Sequence, residues 1–245
     1  ARRHLEDRDD SQVTGPLEPL IGALREIRAA HVWANYATAY RVTFESGSDI
    51  IATPIVREDG VRDARADDAV RGAPNPAIVL LPPRDECFRA FLAEEGLPFR
   101  ERRAGFFVIF HELSQSLRDQ VRSAGTLPMP RDAYRVSWSD DSVPARLAPG
   151  AAARASIRVT NEGPCTFMHS VRLLASWQGP APGTQAFASP DRRVAPGETA
   201  TLDFSLEAPA VPGAYFLTLD LEQQGVAAFS EKGGAVFRKS VDVAR

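Results

Sequence analysis

Three Pro-Gly turns, at Pro149-Gly150, Pro196-Gly197 and Pro212-Gly213, each stand just before a run in which apolar and polar residues alternate. After Pro196-Gly197, Ala200, Leu202, Phe204 and Leu206 alternate with Thr199, Thr201, Asp203 and Ser205. After Pro212-Gly213, Tyr215, Leu217, Leu219 and Leu221 alternate with Phe216, Thr218, Asp220 and Glu222. Side chains of a strand flip at every residue, so such a run has one apolar face and one polar face. Several runs of this kind with turns between them predict an antiparallel β-sandwich filling residues 133–245. A sandwich of that kind more often binds, spaces or props than carries out chemistry.

At 245 residues the chain is long enough for two domains, each with its own core. A formal net charge of −3 argues against a general nucleic-acid binder, so no nucleic-acid partner is expected. Of the 29 basic residues only Lys232 and Lys239 are lysines, a bias we attribute to GC-rich bacterial coding rather than to phosphate binding. No apolar stretch approaches the ~20 residues that span a bilayer. Residues 1–14 are expected to be a solvated polar leader, without the apolar core of a secretory signal. The two cysteines, Cys87 and Cys165, fall in different predicted domains and say little about redox compartment.

Ahead of the sandwich the periodicity changes. Leu17, Leu20, Ile21, Leu24 and Ile27 recur at helical spacing, which predicts an amphipathic helix over 17–29. His31 to Ala34 is a short apolar run. Asn35 is a favoured N-cap and Gly47 a helix stop, which predicts a helix over 36–46. The rival is a strand over 40–45, from the alternation of Tyr40, Val42 and Phe44; the cap and stop favour the helix. Ile50–Pro54 and Ala77–Leu81 are continuous apolar runs of the kind buried on both faces of a parallel sheet. Asp63–Arg71 reads as a polar loop with a short helix, and Asp85–Glu95 as a helix with Phe88, Phe91 and Leu92 inward. Phe99–Arg103 and Phe106–Phe110 form a closing hairpin or a loop and a last strand. The order predicts a small parallel-sheet α/β domain, Rossmann-like, over 15–127, then a proline linker at 128–132.

Ligands of open α/β sheets bind beyond the carboxyl ends of the strands. Asn35, Tyr36, Tyr40 and Arg41 fall at that edge of the first strand: an amide, two phenols and a guanidinium suited to a sugar or a phosphate. The bland account has Asn35 capping a helix and the tyrosines packing between layers. In the second domain Trp177 is a candidate stacking platform, although it alternates in phase with Val171, Leu173 and Ala175, as a core residue does. Tyr215 has the setting of a tyrosine corner. Chemistry finds little support. His111-Glu112 lacks the second histidine of a zinc protease, and no metal site is expected. Asp63, Asp67 and Asp68 lack the glycine and distal glutamate of a calcium loop and read as a solvated acidic loop. Cys87 lies near a helix N-terminus, where a thiol pKa can fall, but no partner base is identifiable. There is no glycine-rich phosphate loop, so no cofactor and no catalytic residue are expected.

Two segments carry a resemblance. His31-Val32-Trp33-Ala34-Asn35-Tyr36-Ala37-Thr38-Ala39-Tyr40-Arg41-Val42-Thr43-Phe44, followed by Ile50-Ile51-Ala52-Thr53-Pro54, resembles the soluble extracytoplasmic C-terminal region of bacterial family 39 membrane glycosyltransferases. These are the mannosyltransferase-like enzymes that use polyprenyl-phosphate sugars. Asn35 stands where that family's segment has Asp, and Thr38 where it has Trp. Val211-Pro212-Gly213-Ala214-Tyr215 and the strand after it resemble Ig-like modules of polysaccharide-processing proteins, with Ala228 where those often carry Trp. The resemblance implies a non-catalytic accessory region outside the cytoplasm, tethered to the inner membrane through an upstream membrane-embedded catalytic domain. Its implied partner is a glycan or polyprenyl-phosphate sugar acceptor. A free-standing carbohydrate- or protein-binding module of the cell envelope is the alternative, and a small α/β enzyme the third reading.

Overall fold

A computed structural model describes residues 15–55 and 62–244, and the chain divides into two compact units between Pro130 and Arg131. The expected polar leader, 1–14, lies outside the described residues.

The first unit runs α1 (Glu18–Glu26), β1 (His31–Ala34), α2 (Tyr36–Glu45), β2 (Ile51–Pro54), α3 (Ala64–Gly72), β3 (Ala77–Leu80), α4 (Arg84–Glu94), β4 (Arg100–Ala104), β5 (Phe107–His111) and α5 (Gln115–Ala124). Its sheet has the order β2-β1-β3-β5-β4. The first three strands are parallel, with His31 opposite Ile51 and Val32 opposite Ala77. Helices cover both faces, because alternate strand residues point to opposite sides. Val32, Ala34, Ala52 and Val79 pack with Leu20, Ile21 and Leu24 of α1 and Ala39 and Val42 of α2. Trp33, Ile78, Leu80, Val108 and Phe110 pack instead with Val70 of α3, Phe88 and Leu92 of α4, and Leu117 and Val121 of α5. The helix reading of 36–46 holds over the strand: Asn35 Oδ1 accepts from the Thr38 N–H at 2.8 Å, and Gly47 takes φ +69°.

Three expectations are corrected here. The sheet is mixed, not parallel throughout, because β4 and β5 are joined by a tight turn at Gly105 (φ +62°), which forces them antiparallel; β5 is also antiparallel to β3. The exposed edge strand β4 carries Arg100, Glu101, Arg102 and Arg103, charges that blunt further pairing. The segment 63–71, expected as a polar loop with a short helix, is helical from Ala64 to Gly72, capped by Asp63, whose Oδ1 accepts from the Arg65 and Ala66 N–H groups. Finally, α5 was not anticipated. It buries only Leu117 and Val121, a stripe too narrow for a periodicity argument, yet Ser114 caps it and Gly125 (φ +66°) ends it.

The second unit is β-rich: β6 (Val136–Ser139), β7 (Arg146–Leu147), β8 (Ala152–Asn161), β9 (Val171–Gln178), β10 (Ala186–Ala188), β11 (Thr199–Glu207), β12 (Gly213–Gln223), β13 (Ala227–Ala228) and β14 (Phe237–Val243). One sheet has the order β10-β9-β12-β14-β7, with β13 added to β12; the other is β11-β8-β6. Pairing is antiparallel except for the two-residue strand β7, which runs parallel to β14, so the expected all-antiparallel arrangement is broken at that edge. The alternations read from sequence are real. Leu202, Phe204 and Leu206 of β11 and Leu217, Leu219 and Leu221 of β12 are buried, whereas Thr201, Asp203 and Ser205 are exposed. The Tyr215 hydroxyl donates to the Val211 carbonyl at 2.8 Å, the bond expected of a tyrosine corner.

The polar face of β12 is not all open. Asp220 is 8% exposed, and its Oδ2 accepts from the Ser230 hydroxyl at 2.6 Å. Burial raises its pKa above the ordinary 3.8, against the lowering effect of the Ser230 hydrogen bonds. A carboxyl whose folded pKa is raised favours the folded state below its unfolded pKa, and that contribution is lost as pH rises through the folded value. Asp220→Asn, neutral at every pH, is therefore expected to melt higher than the native chain at neutral pH. The difference should shrink on acidification below the raised pKa, as followed by Tm against pH. An equal or lower Tm for the variant at neutral pH would contradict this.

Candidate functional site

The strand order 2-1-3 makes the chain leave β1 for one face of the sheet, through α2, and leave β3 for the other, through α4. The divergence falls at the carboxyl ends of β1 and β3, the place where open α/β sheets bind ligands. Two of the sequence candidates meet beside it. Tyr36 and Tyr40, one turn apart on α2, lie edge-to-face with ring centroids 5.0 Å apart. A third residue joins them: the Arg62 guanidinium sits 5.0 Å from the Tyr36 ring centroid and 5.6 Å from that of Tyr40. The Arg62 backbone N–H also donates to the Tyr40 hydroxyl oxygen at 2.7 Å. Tyr40 Oη thus accepts one bond and keeps its proton to donate, while the Tyr36 hydroxyl has no hydrogen-bond partner among the described residues. A cation over aromatic faces is favourable by ~0.5–1 kcal/mol at exposed sites. The cluster offers a fixed guanidinium and two phenols at one edge.

The other candidates are occupied. Asn35 spends its side-chain oxygen on the α2 cap. Arg41 forms an ion pair with Glu45 at 2.7 Å and donates to the Gly15 carbonyl at 3.0 Å, which ties α2 to the segment ahead of α1. Trp177 lies in the second unit, 8% exposed, edge-to-face with Tyr215 at 6.2 Å and inside contact distance of Gly183.

Under the same sheet edge lies a network that sequence reasoning missed. Asp67 is buried and accepts from the Thr53 hydroxyl at 3.0 Å and from Arg71 Nε at 2.8 and 2.9 Å. Arg71, 5% exposed, reaches the carbonyl of Pro54 at the end of β2. The acidic 63–68 segment is thus not a solvated loop: Asp63 caps a helix, and Asp67 neutralises a buried guanidinium. The spacing of Asp67 and Arg71, one helical turn, was the available signal. Asp85, in the first turn of α4, is 2% exposed and pairs with Arg89 at 3.2 Å. The Arg89 pKa is raised, first by its hydrogen bond to Glu101 and then by Asp85.

Catalytic constellations do not assemble around the remaining candidates. His111 lies 3.8 Å from Glu112, and burial lowers its pKa. No group of three or more His, Cys, Asp or Glu side chains among the described residues is placed to hold a metal. Cys87 is not a free thiol. No helix among the described residues is long and apolar enough to cross a membrane.

No family model matches the chain, and no curated protein matches it. Solved structures give distant likenesses. The CARDB domain of PF1109 from Pyrococcus furiosus is 16% identical, over 44% of this chain and 94% of that domain, with a TM-score of 0.33. A β-glucosidase from Listeria innocua is 14% identical over 44% of this chain and 16% of the enzyme, TM-score 0.29. The sporulation control protein Spo0M from Bacillus subtilis is 15% identical over 45% of this chain and 49% of its own, TM-score 0.29.

Proposed function

We propose that this chain is a non-catalytic, extracytoplasmic accessory region of a lipid-linked-sugar glycosyltransferase, which handles the acceptor or glycan for a membrane-embedded catalytic part. In this reading the first unit is a Rossmann-like domain that binds at the carboxyl edge of its parallel strands, and the second is an Ig-like module. The observation that carries the reading is the Tyr36–Tyr40–Arg62 cluster: its two tyrosines fall within the segment resembling the family 39 transferases, and Arg62 joins them from outside it at the strand ends where open sheets bind ligands. Its chemistry suits a sugar phosphate. Arg62 supplies a permanent charge with several donors, and the phenols donate to hydroxyl or phosphate oxygens.

The test is a binding screen of the purified chain against glycans and polyprenyl-phosphate sugars. Arg62→Ala and Tyr36→Ala/Tyr40→Ala are each expected to weaken lipid-phosphate-sugar binding tenfold or more while the chain stays folded. Asn35→Ala should instead lower stability by about 1 kcal/mol, the value of a helix cap, and leave affinity alone. Undiminished binding by the folded Arg62 variant, or no binding by the native chain, would overturn the reading. The alternative, a free-standing envelope module in which Trp177 is the sugar platform, is disfavoured by the burial of that ring.

A further inference from the structure

The second unit carries a cleft that nothing so far accounts for. It holds about 710 Å³ and runs over the polar face of β8 and β11, bounded by the edge strand β10. That volume lies within the ~300–1,000 Å³ of small-molecule sites. Register fixes its floor: Asp203 stands opposite Ser156, and Ser205 opposite Arg154. A carboxylate, a guanidinium and two hydroxyls therefore share one two-by-two patch of the sheet surface. Arg154 and Asp203 are diagonal neighbours of opposite charge and both are exposed, yet neither has an ion-pair partner among the described residues. Their hydrogen-bonding capacity is open to a ligand. Gln185 adds an amide at the rim, and Phe187, 48% exposed, adds an aromatic ring. That ring is held in place: the Arg172 guanidinium sits 4.3 Å from its centroid, and Arg172 is itself ion-paired with Glu222.

We propose that this cleft is a binding site for a neutral oligosaccharide. One carboxylate against one guanidinium leaves the floor without net charge, which disfavours phosphates, acidic sugars and polycations alike. A carboxylate accepts from a hydroxyl, and a guanidinium, an amide and serine hydroxyls donate to its neighbours, so adjacent hydroxyls of one sugar ring are matched in both senses. An immobilised aromatic rim gives the apolar face of such a ring a surface to rest on. A protein partner fits less well, because the centre of a protein interface is depleted of charge and rich in apolar side chains. The inference rests on the reading of the chain as a glycan handler and adds to it a second site, built from different residues on a different unit.

The experiment titrates the full chain with neutral gluco-, manno- and galacto-configured hexasaccharides, following backbone amide NMR shifts and affinity. Shifts are expected in β8, β10 and β11. Asp203→Ala and Phe187→Ala, both on exposed residues, are each expected to weaken binding at least tenfold without changing the fold. Three results would overturn the inference: shifts confined to the neighbourhood of Tyr36 and Arg62, affinity unchanged in both variants, or no binding of any hexasaccharide. None of these touches polyprenyl-phosphate-sugar binding at Arg62, which decides the accessory-region reading separately.

Discussion

Replacing Gly163 with alanine is expected to destabilise the β unit by about 3 kcal/mol or more, among the largest effects of any single methyl group in this chain. A Cβ built at Gly163 would lie 2.6 Å from the carbonyl oxygen of Ala133 and 2.8 Å from its Cα. Both are backbone atoms of the short 3-10 turn Arg131–Tyr134, so no flexible side-chain tip is available to move aside. That turn is pinned from the opposite direction. Tyr134 is fully buried, donates its hydroxyl to Gln223 at 2.6 Å, and stands edge-to-face with Phe229 at 5.0 Å; Phe229 meets Phe167 at 5.4 Å in turn. Gly163 is itself held in place, because its N–H donates to the buried Asn161 side chain at 3.0 Å. Gly234 makes the same kind of approach, against the carbonyl oxygens of Tyr134 and Phe229, and Gly234→Ala should behave alike. Gly197→Ala is the control. Its φ of +77° is strained for alanine but nothing lies within 4 Å, so a loss of only about 1 kcal/mol is expected. Urea unfolding of the three variants measures this, and a Gly163→Ala loss no larger than that of Gly197→Ala would refute the account.

In the first unit, Asp67→Ala is expected to lower stability by about 3–5 kcal/mol, because it leaves the Arg71 guanidinium buried without its counter-charge. Arg71 is 5% exposed and both oxygens of Asp67 face its Nε, so water has little access to replace the lost partner. The thermodynamics of buried pairs give the prediction a second arm. Breaking a buried pair is costly, while replacing both partners by apolar side chains of similar size is often neutral. Asp67→Leu/Arg71→Met should therefore recover most of the stability lost in Asp67→Ala, as read by thermal or urea unfolding. If the double replacement is as damaging as the single one, the pair's worth lies in its bonds to Thr53 and the Pro54 carbonyl rather than in charge neutralisation. The native pair anchors α3 against β2, and α3 begins directly after Arg62, so Asp67→Ala is also expected to weaken ligand binding at the tyrosine cluster.

These predictions sit at positions the sequence announces unequally. Asn35 and Ser114 both cap helices through bonds to a residue three positions on, and Gly47 and Gly125 end those helices at positive φ. Such features are legible because cause and consequence lie within one turn. The strands of the β unit are legible for a similar reason: alternation exposes one face and buries the other, whichever strands become neighbours. The helix α5 escaped because two buried residues in ten do not make a periodicity, and α3 was legible only as a short helix beside a solvated acidic loop because its buried members include Asp67 and Arg71, residue types that ordinarily mark a solvated surface.

The chain by itself determined the two-part organisation of its periodicities, the positions of most strands and helices, and the pairing of Tyr36 with Tyr40 on one helical face. Those are local consequences of side-chain spacing, caps and turn residues. Only the tertiary structure decided that β4 and β5 complete the sheet antiparallel, and that Arg62, 22 residues from Tyr40, closes the aromatic cluster. It also decided that Asp203 and Arg154, about fifty residues apart in sequence, share an unpaired patch on one sheet surface. The reason is the same in each case. Strand order and register are set by which apolar faces bury together across the whole unit, and functional groups from distant segments meet only once that burial has placed them.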